Sequence, residues 1–242
     1  MQPLGLPFLL PAGVTLQHAR LYHALYEAAC NVILRPEQRT AFLGLGAGWG
    51  IDLRAGVAPV LPQCEVEHTT PRVRVGKHDR AYIFPHALVR QLKESWADER
   101  RMRVSFRGLL TPQRADLLKN WKGQEGVCIT ATDRGRRAET KYDDPGYAHE
   151  LGSSQFVLCP GGDCAWSYRV VESVCAGAVP IVETAHPSYG DLVTLRMDEV
   201  TPDTLPDWRA DLAEHNFEIA RKLVTVPVPE LLAEVVRLRG PR

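Results

Sequence analysis

Short apolar runs alternate with amphipathic stretches through the second half of the chain. Four short runs rich in apolar residues predict buried strands: MRVSFRG (102–108), GVCITAT (126–132), QFVLCP (155–160) and AVPIVE (178–183). Apolar residues at helical spacing predict three helices between them: 112–121, 147–153 and 167–177. This strand–helix repeat is typical of a parallel sheet with helices on both faces, so the predicted fold class is α/β.

The rest of the chain shows weaker patterns. Its predicted elements are a helix at 15–30, a strand at 40–46, short strands at 72–75 and 81–84, a helix at 88–101, an Asp/Gly/Arg-rich loop at 133–146, and two final helices around 207–223 and 229–239. The strand–helix repeat of the second half predicts a small nucleotide-binding domain. The weaker patterns of the first half predict a companion domain of reduced size.

The composition excludes several classes of protein. Lys+Arg and Asp+Glu are 29 each in 242 residues, so the net charge of zero argues against binding a polyanion through bulk charge. The six cysteines form no CxxC pair and have no zinc-like spacing with histidines, which favours reduced thiols and no metal site. The apolar N-terminus is broken by Pro3, Pro7 and Pro11, and no run approaches about 20 apolar residues. We therefore expect a cytoplasmic protein without a membrane span.

The residues between 153 and 182 concentrate the candidate chemistry. Gly161 and Gly162 are expected to leave backbone N–H groups open to a ligand beside a helix that starts near Ser167, and such a turn attracts phosphate. Arg169 adds N–H donors that suit phosphate oxygens. Glu172 stands among apolar residues, where a carboxylate needs hydrogen-bond donors such as ribose hydroxyls.

Parallel sheets bind ligands outside the carboxyl ends of their strands. This rule predicts that Arg107–Gly108, Gly161–Gly162 and the loop after Val182 lie along one rim of the sheet. The rim is therefore the predicted binding site of the second half.

Three runs in this half resemble a known family in their order and spacing: SQFVLCPGG (154–162), SYRVVE (167–172) and GAVPI (177–181). They are similar to the S-x-F-x-L-x-P-x-G, S-x-R-x-x-E and G-x-x-P-[VI] motifs of the carboxy-terminal domain of exostosin-like glycosyltransferases, which have the GT-B architecture. Upstream, VSFRG (104–108) resembles the first strand of that domain. Tyr147 falls where the family often has an aromatic residue.

The resemblance implies two small Rossmann-like domains with a cleft between them. Residues 1–100 would form a reduced acceptor domain, and 101–242 a donor-binding domain whose final helices cross back. The implied reaction is transfer of a sugar from a nucleotide-diphosphate sugar to a hydroxyl, with no cofactor and no metal. The implied donor-binding residues are Arg107, Gly108, Gly161, Gly162, Ser167, Arg169 and Glu172. Glu172 would bind the ribose, whereas the arginines and the glycine turn would stabilise the diphosphate leaving group.

The catalytic base is expected in the first half of the chain, where the resemblance fades. The segment KHDRAYIFPH (77–86) brings His78, Asp79 and His86 together around one short strand, so these three are the first candidates.

A glycine-rich segment offers an alternative interpretation. RTAFLGLGAGWGIDL (39–53) resembles the first motif of S-adenosylmethionine-dependent methyltransferases, although Gly44 stands where that motif has an acid. In the glycosyltransferase interpretation, Gly46, Gly48 and Trp49 would line the acceptor cleft. A third alternative is a non-catalytic module that binds nucleotide sugars.

Two basic runs bear on the acceptor: Arg100, Arg101, Arg103 and Arg107 in the first, and Arg134, Arg136, Arg137 and Lys141 in the second. On the rim of a cleft they would favour an anionic acceptor, either an acidic glycan or a modified base in DNA.

Overall fold

A computed structural model of the chain describes residues 19–21, 23–25, 27–28, 64–67, 69–132, 145–162 and 164–239. The chain divides into two compact units. One comprises residues 1–3, 89–136 and 144–222, and the other comprises 4–88, 137–143 and 223–242. The predicted strand at 40–46 and the predicted loop at 133–146, except for its last two residues, lie outside the described residues.

The unit that includes residues 4–88 contains a small antiparallel sheet. Its strands are β1 (Cys64–Glu67), β2 (Arg72–Val75) and β3 (His78–Arg80), paired in that order. The predicted strand at 81–84 is wrong, because β2 pairs with the polar segment β3. The turn at 76–77 places Val75 opposite His78, so turn geometry rather than hydrophobicity selects the paired residues. Residues 82–84 are instead buried outside any strand.

The described helices are α1 (His86–Glu94), α2 (Pro112–Leu117), α3 (Pro145–Gly152), α4 (Tyr168–Cys175), α5 (Ala210–Val224) and α6 (Val228–Arg239). Residues 19–21, 23–25 and 27–28 are also helical, which confirms part of the helix predicted at 15–30. α1 ends at Glu94, several residues before the predicted end at 101. α2 also ends early, and its first turn is capped by Thr111, whose hydroxyl accepts a hydrogen bond from the Arg114 N–H.

The unit that includes residues 144–222 contains a parallel sheet. Its strands are β4 (Met102–Gly108), β5 (Val127–Ala131), β6 (Ser154–Cys159), β7 (Val179–Val182) and β8 (Leu195–Arg196). They pair in the order β5-β4-β6-β7-β8. The four predicted strands are confirmed to within two residues at each end, and β8 is an additional two-residue strand. This all-parallel sheet with helical crossovers is compatible with a Rossmann-like fold.

One face of the sheet carries the main apolar core of this unit. Its buried members are Val104, Phe106, Leu118, Trp121, Phe156, Leu158, Val179, Ile181 and Leu205. Side chains on alternate residues of β4, β6 and β7 share this face, as the two-residue period of a strand requires.

The strand order places a crevice at one end of the sheet. β5 lies on one side of β4, and β6 lies on the other. The connection from β4 to β5 and the connection from β6 to β7 therefore run in opposite directions along the sheet. A crevice outside the carboxyl ends of the strands at such a point is where open parallel sheets bind ligands. Here that point lies between β4, which ends at Gly108, and β6, which is followed by Pro160 and Gly161.

Candidate functional site

A cavity of about 430 Å³ lies at the carboxyl ends of β4 and β6. Its lining residues are Leu109, Thr111, Pro112, Gln113, Arg114, Gly161 and Gly162. They belong to the segments that follow the two strands on either side of the change in strand order, so the cavity lies where the topology predicts a ligand.

Arg169 extends from the first turn of α4 to the end of β4. Its Nη2 donates a hydrogen bond of 2.9 Å to the Arg107 carbonyl oxygen, and its guanidinium carbon lies 4.6 Å from the centre of the Phe106 ring. The residue is only 7% exposed, yet its Nε and Nη1 have no hydrogen-bond partner among the described residues. Buried N–H donors are ordinarily paired, so these two groups point to an anionic ligand.

Gly108 makes room for this guanidinium. A Cβ atom at Gly108 would lie 2.5 Å from Arg169 Nη2, which is closer than van der Waals contact allows. Any larger residue at the end of β4 would therefore displace the arginine.

The Arg107 side chain lies on the face of β4 opposite to the Phe106 side chain, because successive residues of a strand alternate between faces. It forms an ion pair with Glu150 on α3. Its Nη1 lies 3.4 Å from Glu150 Oε2, and the hydroxyl of Thr130 donates to the same oxygen at 3.3 Å. Arg107 and Thr130 are register partners on β4 and β5, so the parallel sheet brings both donors to one carboxylate. Burial raises the pKa of Glu150, and the nearby Arg107 partly offsets this effect.

Glu172 lies on α4, 3% exposed, and accepts a hydrogen bond of 2.6 Å from the Tyr147 hydroxyl of α3. Burial, reinforced by this carboxylate, raises the pKa of Tyr147 well above its ordinary value. Burial also raises the pKa of the nearby Cys159 thiol to about 12, so the cysteine stays protonated. The tyrosine hydroxyl is thus a hydrogen-bond donor to Glu172 within the protein.

The glycine turn differs from the expectation. The Gly161 N–H donates to Glu183 Oε2 at 2.8 Å, and the Gly162 N–H donates to the Cys164 carbonyl oxygen at 3.0 Å. The expectation that these two N–H groups are open is therefore wrong, because neighbouring acceptors bind both. Ser167 does begin α4 as expected, since its hydroxyl accepts the Arg169 N–H at 3.3 Å.

Three residues at this end of the sheet did not emerge from the sequence: Arg114, Glu150 and Glu183. Arg114 donates to the carbonyl oxygens of Gly161 at 2.7 Å and Leu109 at 3.0 Å, and so holds the two strand ends together. No motif marks these residues, because each reaches the site from a different segment. Arg114 and Glu183 lie close to predicted strand ends, whereas Glu150 lies within α3 and carried no comparable signal.

The first basic run is largely used inside the protein. Arg100 donates to the carbonyl oxygens of Ser154 and Ala176, and Arg103 donates to that of Leu205. Arg107 pairs with Glu150, which leaves Arg101 as the exposed member of the run. These internal partners do not favour the anionic acceptor that the run would indicate on the rim of a cleft, whereas the second run, 134–141, lies outside the described residues.

The three candidate bases have distinct surroundings. Asp79 on β3 pairs with the Arg72 guanidinium, which lowers the pKa of Asp79. His78 is buried, and its Nε2 has no hydrogen-bond partner among the described residues.

His86 begins α1, where its backbone N–H and that of Ala87 both donate to the Glu27 carboxylate. Its Nε2 lies 2.9 Å from the Val226 carbonyl oxygen. Because a carbonyl only accepts, Nε2 carries the proton and Nδ1 is the basic nitrogen of the neutral ring.

Gly46, Gly48 and Trp49 lie outside the described residues. Among the described residues, no group of three His, Cys, Asp or Glu side chains is placed to hold a metal ion. In that same part of the chain, the helices are too short or too polar to cross a membrane.

Comparison with known proteins agrees with the motifs at this site. The family model for the exostosin GT47 domain matches residues 58–209, which is more than half of the chain. The chain belongs to the exostosin GT47 domain family. The resemblance drawn from the three motif runs is thereby confirmed. The family match includes β4 to β8 and every residue described above at the carboxyl ends of the strands.

One curated relative of this exostosin-family chain is a protein of Arabidopsis thaliana, described as a probable glucuronoxylan glucuronosyltransferase IRX7. The two are 51% identical over 37 residues, which is 15% of this chain and 8% of the plant protein. The aligned part is thus a small fraction of the relative's length.

Proposed function

We propose that the chain is a glycosyltransferase that moves a sugar from a nucleotide-diphosphate sugar to a hydroxyl group of a glycan. Membership of the exostosin GT47 domain family and the partial likeness to a glucuronosyltransferase support this class of activity. The observation that carries the proposal is Arg169, a buried guanidinium at the end of β4 where the strand order changes, whose Nε and Nη1 find no hydrogen-bond partner in the described part of the chain.

In the proposed reaction, the bond between the anomeric carbon and the diphosphate oxygen breaks, and its electron pair stays on the diphosphate. The acceptor oxygen bonds to the anomeric carbon and gives its proton to a base. Arg169 and Arg107 would stabilise the negative charge that develops on the leaving group, as a metal ion does elsewhere. The proposed reaction is therefore independent of metal.

Glu172 is the proposed ligand of the donor ribose. Since the Tyr147 hydroxyl occupies this buried carboxylate, the ribose would have to share or replace that hydrogen bond. Tyr147 is accordingly part of the proposed donor site.

His86 is the best of the three proposed bases. Its Nε2 proton is engaged by a carbonyl, which leaves Nδ1 as a proton acceptor, whereas Asp79 is a weaker base because of its pairing with Arg72. The proposed architecture remains GT-B-like, with the acceptor domain in 1–100 and the donor domain in 101–242.

A glycan is the proposed acceptor rather than DNA. Three of the four arginines at 100–107 bind carbonyl or carboxylate oxygens of the protein itself, so this run does not form a surface that attracts a polyanion. The net charge of zero agrees with this choice.

The test is release of nucleoside diphosphate from a panel of nucleotide sugars with glycan acceptors. We expect release by the wild-type protein and a loss of at least about tenfold in Arg169→Met, which keeps the apolar stem but removes the charge. Arg101→Met is the matched control, because Arg101 is exposed and should leave the rate unchanged.

Three outcomes would count against the proposal. Wild-type rates in Arg169→Met would remove this site from the reaction. Binding of S-adenosylmethionine without any nucleotide sugar would support the methyltransferase alternative. Binding of a nucleotide sugar without turnover with any acceptor would indicate a non-catalytic module.

A further inference from the structure

Around the ends of β4, β6 and β7, the positively and negatively charged side chains that the structure describes are equal in number. The cations at these three strand ends are Arg107, Arg114 and Arg169, and the anions are Glu150, Glu172 and Glu183. A nucleotide sugar carries two negative charges on its diphosphate. These six described groups together attract such a dianion only weakly unless one of the carboxylates becomes neutral.

Glu150 is the carboxylate best placed to become neutral. It is 8% exposed, and Arg107 and Thr130 both approach Oε2, while Oε1 has no hydrogen-bond partner among the described residues. A buried oxygen of this kind can carry a proton without breaking an existing hydrogen bond. Glu172 and Glu183, in contrast, each accept a short hydrogen bond of 2.6 Å and 2.8 Å.

The groups that face Glu150 come from three elements besides its own helix. Arg107 on β4 and Arg169 on α4 are cationic, and Thr130 on β5 is a neutral donor. On α3 itself, His149 is exposed, and Tyr147 is held to Glu172. Burial is the largest influence on Glu150 and raises its pKa despite both arginines, so its charged form is already disfavoured.

We propose that Glu150 neutralises Arg107 in the protein without donor, and that the nucleotide sugar binds together with a proton taken up by this carboxylate. The inference rests on the proposed function, since it concerns the donor of that reaction. The proton comes from solvent and adds to Glu150 Oε1, and no other bond forms or breaks. Arg107, released from its counter-ion, then faces the diphosphate beside Arg169.

This coupling has a defined sign. Binding of the dianion favours protonated Glu150, so donor affinity rises as the pH falls toward the pKa of this carboxyl. The diphosphate of a nucleotide sugar is doubly esterified and keeps its charge over this range. The pH dependence therefore reports on the protein rather than on the ligand.

The experiment is calorimetric titration of the protein with each of a set of UDP-hexoses, between about pH 5 and about pH 8 in buffers of different ionisation enthalpy. The wild-type protein should take up as much as one proton per donor, and its affinity should rise by at most about tenfold per pH unit as the pH falls. Glu150→Gln should bind more tightly than the wild type at neutral pH, with no proton uptake and a flat pH profile. Glu99→Gln, at an exposed position, should behave as the wild type.

The outcomes separate the inference from the proposed function. A wild-type protein that binds a nucleotide sugar without proton uptake overturns the inference and leaves the proposed function intact, and this measurement needs no variant. Proton uptake that persists in Glu150→Gln overturns the assignment to Glu150. A wild-type protein that binds no nucleotide sugar at any pH overturns both.

Discussion

At the scale of single residues, the candidate site is a set of buried charges that satisfy one another incompletely. Within the residues that the structure describes, two N–H groups of Arg169 and one oxygen of Glu150 have no hydrogen-bond partner. Unpaired buried polar atoms cost about 1–3 kcal/mol each, so a protein retains them where they bind something. The motifs predicted Arg107, Arg169 and Glu172 as candidate site residues. Glu150 was not, because its role depends on an ion pair between distant segments.

Gly108→Ala should weaken donor binding with little effect on folding. The new Cβ would lie 2.5 Å from Arg169 Nη2 and would move the guanidinium away from the end of β4. We expect at least about tenfold weaker binding of the nucleotide sugar, measured by titration, and a change of at most about 1 kcal/mol in unfolding free energy. Unchanged donor affinity in a folded Gly108→Ala protein would show that the position of Arg169 does not affect donor binding.

His23 should make the protein less stable in acid. Burial lowers the pKa of His23 to about 4, so the folded state keeps it neutral while the unfolded state takes up a proton near pH 6.5. Stability is therefore fully present above the unfolded pKa and falls as the pH drops toward the folded one. We expect a loss of about 2 kcal/mol between about pH 7 and about pH 5, measured by urea unfolding.

His23→Gln should remove most of this pH dependence, whatever its effect on stability at neutral pH. His149→Gln is the control, because His149 is exposed and should leave the dependence unchanged. An equally steep loss in both variants would assign the acid sensitivity to other groups.

At the scale of elements, α4 connects the site to the core. Ser167 caps its start, and the helix ends at Cys175, two residues before Gly177. Gly177 has a φ of 78°, and its N–H donates to the Val174 carbonyl oxygen. Both ends were predicted from the residue types. Gly177 is needed for its backbone conformation and also because Trp96 and Arg100 pack against it, and only the tertiary structure shows this second reason.

Gly177→Ala should destabilise the protein for two reasons. Its φ is unfavourable for an L-residue, and a Cβ atom there would overlap Arg100 and lie 2.5 Å from the Trp96 ring. Gly123→Ala is the matched control, because Gly123 has a φ of 82° but nothing within 4 Å of the added atom.

In urea unfolding, the control should cost about 1 kcal/mol and Gly177→Ala at least about 3 kcal/mol. Equal costs would show that packing by Trp96 and Arg100 adds nothing to the backbone effect.

At the scale of the whole molecule, the even charge balance limits what the protein binds. Lys+Arg equal Asp+Glu, and in the described part of the chain the basic run at 100–107 is mostly paired internally. Bulk attraction to a polyanion is therefore weak.

The protein should not shift duplex DNA in a gel assay at low salt, where electrostatic binding is strongest. A salt-dependent shift would contradict this prediction and direct attention to the second basic run at 134–141. In that case, reversal of the run's charges should abolish the shift.

The sequence by itself determined the strand–helix order of the second half, the ends of α4 and the family. These depend on local patterns, namely apolar runs, cap residues and motif spacing, which are visible in the sequence without knowledge of the fold. Only the tertiary structure decided that β3 rather than 81–84 completes the small sheet, that Glu183 and Cys164 bind the turn N–H groups, and that Glu150 opposes Arg107. Each of these is a choice among several possible partners far apart in sequence, and the geometry of the folded chain makes that choice.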